Sequence, residues 1–240
     1  MNYENFSGPI YSLHISMDEI ESGKLVVRDF EPKTRGLLRQ VPGKFNSAAE
    51  IPGLGEYIDL GQFTSSCLGN VSLCMYGVTV RFWVNFKDLF DNMYIMSSSR
   101  SGFTLMIENQ DLHAYIQHGD RRWHTSVSDM RTGVWYFIEV TWNLISGLEV
   151  YFDHKLVAQV KRSEYNRYED NPKYNNFYIG RANTVMYAEK YLAGVIDDLQ
   201  VYNADRDRLL DIGFIIKGNR FDELLIFSIS KCLWCATRLL

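Results

Sequence analysis

Cleaving a glycosidic bond takes two carboxylates that face each other across a groove. The acidic clusters here are Asp18, Glu19 and Glu21, which sit in a turn, and the neighbours Asp197 and Asp198, which a regular strand would point to opposite faces. Neither set is spaced for paired acid–base work. His113, His118 and His124 surround one hairpin and could converge on a metal, although solvated hairpin residues account for them more simply. Cys232 and Cys235 form a C-x-x-C pair without the second pair of a structural zinc site or the βα setting of a redox site. Trp83, Trp123 and Trp135 offer faces on which a sugar could stack, set against the ordinary role of tryptophan in filling a β-sandwich. Asn5 and Asn70 each head an Asn-x-Ser sequon, a glycosylation signal that belongs on an exposed loop of a secreted chain.

The elements that must carry these groups read as strands. In residues 133–160, Tyr136, Ile138, Val140 and Trp142 alternate with Trp135, Phe137, Glu139 and Thr141. A period of two with aromatic and β-branched side chains fits a pleated strand. Turn residues 143–147 follow, then Leu148, Val150 and Phe152 alternate with polar neighbours, and Asp153-His154 closes a second hairpin. Val78, Val80, Phe82 and Val84 mark another strand, as do Leu112, Ala114 and Ile116. Shorter strands are expected at residues 11–15, 24–28, 94–97, 103–108, 122–127, 177–180 and 195–202. Residues 31–35, with Pro32, and 161–176 read as loops, and 208–216 as a short helix. Gly53 and Gly55 read as turn residues, because a strand and not a helix follows them, against a phosphate cradle.

Composition narrows the classes. The chain has 240 residues, 46% hydrophobic and 14% aromatic, enough for one large all-β domain. A net charge of −4 with scattered Lys and Arg lacks the basic footprint of a nucleic-acid binder. No run of about 18 uncharged apolar residues suggests a membrane span. The first residues, MNYENFSGPIYSL, lack the basic start and apolar run of a signal peptide, so the chain reads as either intracellular or, the favoured reading, a fragment of something larger.

Several motifs recur in one known order: Gly133-x-Trp135, Val140-Thr-Trp142, "GL-x-V-Y-x-D" from Gly147, "Y-I-D-L-G" from Tyr57, "Y-I-G-R" from Tyr178 and "G-x-I-D-D-L-x-V-Y" from Gly194. Together, over residues 9–203, they resemble laminin-G-like domains of the concanavalin-A-like jelly-roll superfamily, which also holds the pentraxins. The resemblance implies an all-β, two-sheet antiparallel jelly roll with a concave and a convex face, its first strand beside its last. Residues 1–8 become a lead-in and 204–240 a tail. It also implies a non-catalytic extracellular recognition or adhesion module, in a secreted protein or the ectodomain of a cell-surface protein, with a protein or glycan ligand. The alternative is a calcium-dependent, pentraxin-like or lectin-like carbohydrate binder. The Glu-x-Asp-x-x-Glu run of glucanase relatives is absent from the sequence.

The same resemblance assigns residues. Cys67 and Cys74 match a disulfide-closed hairpin, "C-L-G-N-x-x-L-C". Asp153-His154 stands where Asp-Gly is usual, and His tolerates positive φ less well than Gly, which predicts a looser or different turn. On a regular strand Asp197 shares a face with Val195, Leu199 and Val201, and Asp198 with Ile196, Gln200 and Tyr202. Asp197 therefore reads as a buried carboxylate in need of a partner. Structural calcium shared with Asp29 is one candidate, but calcium takes about six to eight oxygens, and residues 30–35 are not rich in them. A hydrogen-bonded or salt-bridged carboxylate, with Lys33 or Arg35 able to pair with it directly, is the favoured reading. For the cysteines, closing so short a loop contributes about 2–3 kcal/mol. Mass spectrometry of secreted material is expected to find neither Cys67 nor Cys74 alkylated until a reductant is added.

Overall fold

The computed structural model describes residues 12–27, 30–63, 67, 69–98, 102–166, 176–183 and 190–211. Asn5, Asp29, Cys232 and Cys235 lie outside these. The chain divides into two compact units, residues 1–206 and 207–240. In chain order the first strands are β1 (Ser12–Ile15), β2 (Ile20–Glu21), β3 (Lys24–Leu25), β4 (Lys33–Arg35), β5 (Arg39–Pro42), β6 (Ser47–Pro52) and β7 (Tyr57–Gln62). Then follow β8 (Val78–Phe86), β9 (Met93–Ser98), β10 (Phe103–Glu108), β11 (Asp111–His118), β12 (Arg121–Val127) and β13 (Trp135–Asn143). The series ends with β14 (Gly147–Phe152), β15 (Lys155–Val160), β16 (Glu164–Tyr165), β17 (Asn176–Ile179), β18 (Lys190–Tyr191), β19 (Ala193–Tyr202) and helix α1 (Arg206–Asp211).

Two large sheets result. The first runs β15-β14-β13-β8-β19-β6-β5, with β1 also beside β19; the second runs β16-β12-β11-β10-β9-β17-β7-β4, with β18 alongside β9. Pairing is antiparallel except at β18. This is the all-β sandwich that the alternation predicts. The first strand does meet the last, Ser12 opposite Tyr202 and Ile15 opposite Leu199. The core lies between the sheets: Val80, Phe82, Val84, Ile138, Val140 and Trp142 from one side meet Ile58, Leu105, Leu112, Ile116, Phe177 and Ile179 from the other. Burying each such side chain stabilises the fold by about 1.5–3 kcal/mol.

Three local expectations are corrected. Residues 31–35 are not all loop, because Lys33–Arg35 pairs with Tyr57–Asp59 as β4 at a sheet edge. Short, charged segments suit an edge, which needs only one partner, so they look like loop in sequence. Within residues 161–176, Glu164–Tyr165 pairs with Arg121 and Arg122. The turn after β14 keeps the expected family geometry despite lacking glycine: Asp153 and His154 have φ of 47° and 67°, the signs that a type I′ turn needs. The His154 ring packs on Phe137 at 4.9 Å, a contact that glycine could not make.

The largest correction is in β19. Its register against β8 slips between Asp197, opposite Trp83, and Gln200, opposite Arg81. Two residues, Asp198 and Leu199, thus face Phe82 alone, which is a β-bulge, and Asp198 takes φ of 51°. Ile196, Leu199 and Val201 all enter the core, while Val195, Asp197, Gln200 and Tyr202 sit opposite outward residues of β8. The predicted sharing of faces is therefore wrong beyond Asp197, because it assumed an unbroken pleat.

Part of the outer face of the first sheet is closed by polar groups. Glu139 is 0% exposed; it accepts a bond from Arg206 Nε and lies 3.9 Å from Arg81 Nη1. Arg81 donates to Gln200 Oε1 and the Tyr202 hydroxyl, both at 2.8 Å. Thr79 Oγ1 donates to Ala204 O at 2.8 Å, and Arg206 N donates to Thr141 Oγ1 at 2.9 Å, so the chain after β19 folds back over the sheet. Glu139→Leu leaves two guanidinium groups without their counter-charge. Urea unfolding is expected to show a loss of about 3–5 kcal/mol, largely recovered when Arg81→Met is added.

Candidate functional site

Alternation on the second sheet leaves an outer row as well as an inner one. Ile58 and Leu60 face the core while Tyr57 and Asp59 face out; Phe177 and Ile179 face in while Asn176 and Tyr178 face out. On β11, Leu112, Ala114 and Ile116 face in and His113 and Tyr115 face out. The register lines these residues up across six strands: His124, Tyr115, Thr104, Ser97, Tyr178 and Asp59 are successive cross-strand partners. Most are half-buried, so their rings are braced yet reachable.

Two clusters stand on this face. In the first, Tyr57 meets Tyr178 edge-on at 5.7 Å and stacks with Tyr191 at 6.3 Å. The Arg181 guanidinium lies 4.8 Å from both the Tyr57 and Tyr178 ring centres, and that of Arg35 lies 5.9 Å from Tyr57. Asn176 Nδ2 donates to both oxygens of Asp59, at 3.0 and 2.9 Å. Burial, reinforced by the Asp59 charge, raises the Tyr178 phenol above its ordinary value, so it stays a neutral hydroxyl. In the second cluster, His113 Nδ1 and His124 Nε2 are 2.9 Å apart, and Tyr115 stacks on His124 at 4.2 Å. Burial, then the neighbouring His113 and Arg122, lower the His124 pKa, which keeps this imidazole neutral near pH 7. Between the clusters, Tyr94, Met106 and Ala182 form a small buried group with Tyr115 packed against it, and Ser97 Oγ donates to Arg181 O at 2.9 Å. The arrangement offers aromatic faces, hydroxyls and fixed cations, which suits binding.

The residues singled out from sequence fall elsewhere. Asp197 is 1% exposed, but its Oδ2 accepts from Phe45 N at 3.0 Å and the Lys44 amide also bonds to it, so it pins the β5–β6 turn. Asp197 is thus a hydrogen-bonded carboxylate, but Lys33 and Arg35, the suggested salt-bridge partners, stand in β4 of the other sheet. Asp198 does not oppose Asp197 but shares its side through the bulge, bonded to His14 Nε2 at 2.6 Å and Gln200 Nε2 at 2.8 Å. Asp18 Oδ1 accepts from Ser47 N at 3.0 Å. Cys67 and Cys74 are joined, with sulfurs 1.99 Å apart. Asn70 lies inside that loop, its Oδ1 accepting from Ser72 N at 3.0 Å.

The three tryptophans do not share a platform. Trp123 is in the core against Trp142, while Trp83 lies on the outside of the first sheet beneath Lys44. Of the three histidines, His113 and His124 meet and His118 turns to Trp142 instead. Among the described residues no group of three or more His, Cys, Asp or Glu side chains could hold a metal. The Tyr57–Tyr178–Tyr191 cluster was missed in sequence. Its signal was tyrosine at outward positions of two strands, with Arg181 closing the "Y-I-G-R" motif.

A family model described as the concanavalin A-like lectin/glucanase superfamily matches residues 60–208. No match was found among curated protein sequences. The fold is similar to that of the binding domain of botulinum neurotoxin DC, solved in complex with rat synaptotagmin II, with TM-score 0.55 and 14% identity over 77% of this chain and 46% of that one. It is likewise similar to a botulinum neurotoxin type C structure reported for cell entry dependent on two ganglioside molecules, with TM-score 0.56 and 16% identity over 77% and 46%. The chain thus spans less than half the length of these structures.

Asp197 generates a pH prediction. Burial, helped by the charges of Asp198 and Asp18 and opposed by the two amides, pushes its carboxyl up to about 6. A folded pKa above the unfolded one means that stability from this group is complete below about pH 4 and is lost as pH rises through about 6. His14, raised by its bond to Asp198, acts in the same direction at higher pH. Asp197→Asn keeps an oxygen for the Phe45 amide and cannot ionise. Urea unfolding at pH 4.5 and 7.5 is therefore expected to show a smaller decline in the variant, by about 2 kcal/mol; parallel declines would contradict the assignment.

Proposed function

Because the chain belongs to the concanavalin A-like lectin/glucanase superfamily, we propose that it is a non-catalytic extracellular recognition module that binds glycans on the outer face of its second sheet. The observation that carries this reading is the Arg181 guanidinium set between the Tyr57 and Tyr178 rings, with Arg35 and Tyr191 alongside. Tyrosine rings give an apolar face and a hydroxyl in one group, and guanidinium forks match carboxylates and related anions. An acidic sugar satisfies both, its ring against the tyrosines and its charge toward the arginines. The similar binding domains, described with ganglioside and protein partners, support recognition as the class of activity. The Cys67–Cys74 disulfide supports an oxidising, extracellular setting. The neighbouring ends of the sandwich, β1 against β19, suit insertion as one module of a larger protein.

A glycan and matrix-protein array, run in calcium and in chelator, tests the reading. The expected outcome is retention of carboxylated or sulfated glycans in both conditions, weakened about tenfold or more by Arg35→Ala or Tyr191→Ala with melting unchanged. Binding lost only in chelator identifies the calcium-dependent lectin mode instead. Retention of matrix proteins without any glycan moves the ligand class to protein.

A further inference from the structure

One end of the sandwich presents aliphatic side chains that the core does not use. Val78, at the start of β8, pairs with Trp142, near the end of β13, so the loop before β8 and the turn after β13 emerge side by side. On the first, Leu73 is 48% and Met75 81% exposed; on the second, Leu144 is 58% and Ile145 93% exposed. These loops are braced. The disulfide closes the first, and Gly77 N bonds to Cys74 O at 3.0 Å. In the second, Asn143 Oδ1 accepts from Ile145 N and Ser146 N at 2.7 and 2.6 Å. Asp205 links the two, accepting from Asn143 Nδ2 at 2.8 Å and donating its amide to Tyr76 O at 2.7 Å.

The charges beside these loops are of both signs, with Asp205 between them, and the exposed excess is basic. Leu148 pairs with Val160, so Lys161 and Arg162 leave β15 at this same end, and both are exposed. Trp123 Nε1 donates to Lys161 O at 3.2 Å, which fixes where that segment starts. The β11–β12 turn at this end adds Asp120 and Arg121, one of each sign, and Glu164 is paired with Arg122 at 3.6 Å. Counting Asp205, the four cations Arg121, Arg122, Lys161 and Arg162 face three anions, so Lys161 and Arg162 tip the local balance to positive in a chain that is acidic overall.

We propose that this end docks on a phospholipid bilayer bearing anionic headgroups, with Leu73, Met75, Leu144 and Ile145 entering the interface and Lys161 and Arg162 against the headgroups. Aliphatic prongs on two separate, braced tips would each need a matched socket on a protein partner, whereas a fluid interface takes them without one. Apolar insertion combined with basic flanks is the general recipe for reversible attachment to such a surface. Asn70 sits on the first of these loops, and a glycan there would stand beside Leu73, so glycosylation of Asn70 and lipid docking exclude each other.

The test uses the full chain, made without glycans, mixed with phosphatidylcholine vesicles with and without phosphatidylserine. Co-sedimentation with the phosphatidylserine vesicles is expected, falling as salt rises. The double variant Met75→Ser/Ile145→Ser should weaken it about tenfold or more, and Lys161→Glu/Arg162→Glu should remove the preference for phosphatidylserine, both with melting temperatures unchanged. Failure of the unaltered chain to bind overturns the proposal. So does a Met75→Ser/Ile145→Ser variant that binds equally well, which would place attachment elsewhere in the chain. A concentration-dependent dimer, seen by light scattering and lost in that variant, would reassign the tips to a contact between copies. Protein recovered from a secretory host with Asn70 glycosylated would also overturn it.

Discussion

Ile196, Leu199 and Val201 must all reach the core from one strand, and a regular pleat cannot place residues three apart on the same face. The bulge at Asp198 resolves this conflict, and much of the fold follows from it. Once the extra residue is absorbed, β19 can pair with β8 along one side and with β6 and β1 along the other. The same step turns both carboxylates outward, where each finds work. Asp197 holds the β5–β6 turn by its backbone amides, and Asp198 ties β1 to β19 through His14. The two acids that look most like a catalytic or metal pair in sequence are thus fasteners of the first sheet.

The two outer faces are finished differently, which decides where recognition can occur. Around Arg81 and Glu139 the first sheet is sealed: its buried charges pair with one another and with Arg206, and the returning segment at Ala204–Arg206 covers them. A buried ion pair of this kind adds little net stability compared with apolar packing, but with Arg81 1% and Glu139 0% exposed it is shut away from any ligand. Among the described residues no such lid covers the tyrosine cluster of the second sheet. Its rings are packed closely enough to be oriented and remain accessible at their edges, a degree of order that lowers the cost of binding.

Local patterning determined a great deal. The period-two alternation of β8, β11, β13 and β14 names their inward residues correctly, because each position on an uninterrupted strand is tied to its neighbour's face. The family motifs, spread from Tyr57 to Tyr202, determined the sandwich and its superfamily. What the chain alone left undecided depends on partners distant in sequence. Edge strand β4 exists because Tyr57–Asp59 lies ready to pair with it, and its own polar residues carry no strand signal. The left-handed turn at Asp153-His154 is supported by the ring of Phe137. Above all, the bulge in β19 follows from the demands of the core across from it, since nothing local to Ile-Asp-Asp-Leu marks where a pleat must break. The recognition face is a further case: Tyr57, Tyr178, Tyr191 and Arg181 become one surface only when β7, β17 and β18 are laid into one sheet, because pairing between strands far apart in sequence sets which side chains meet.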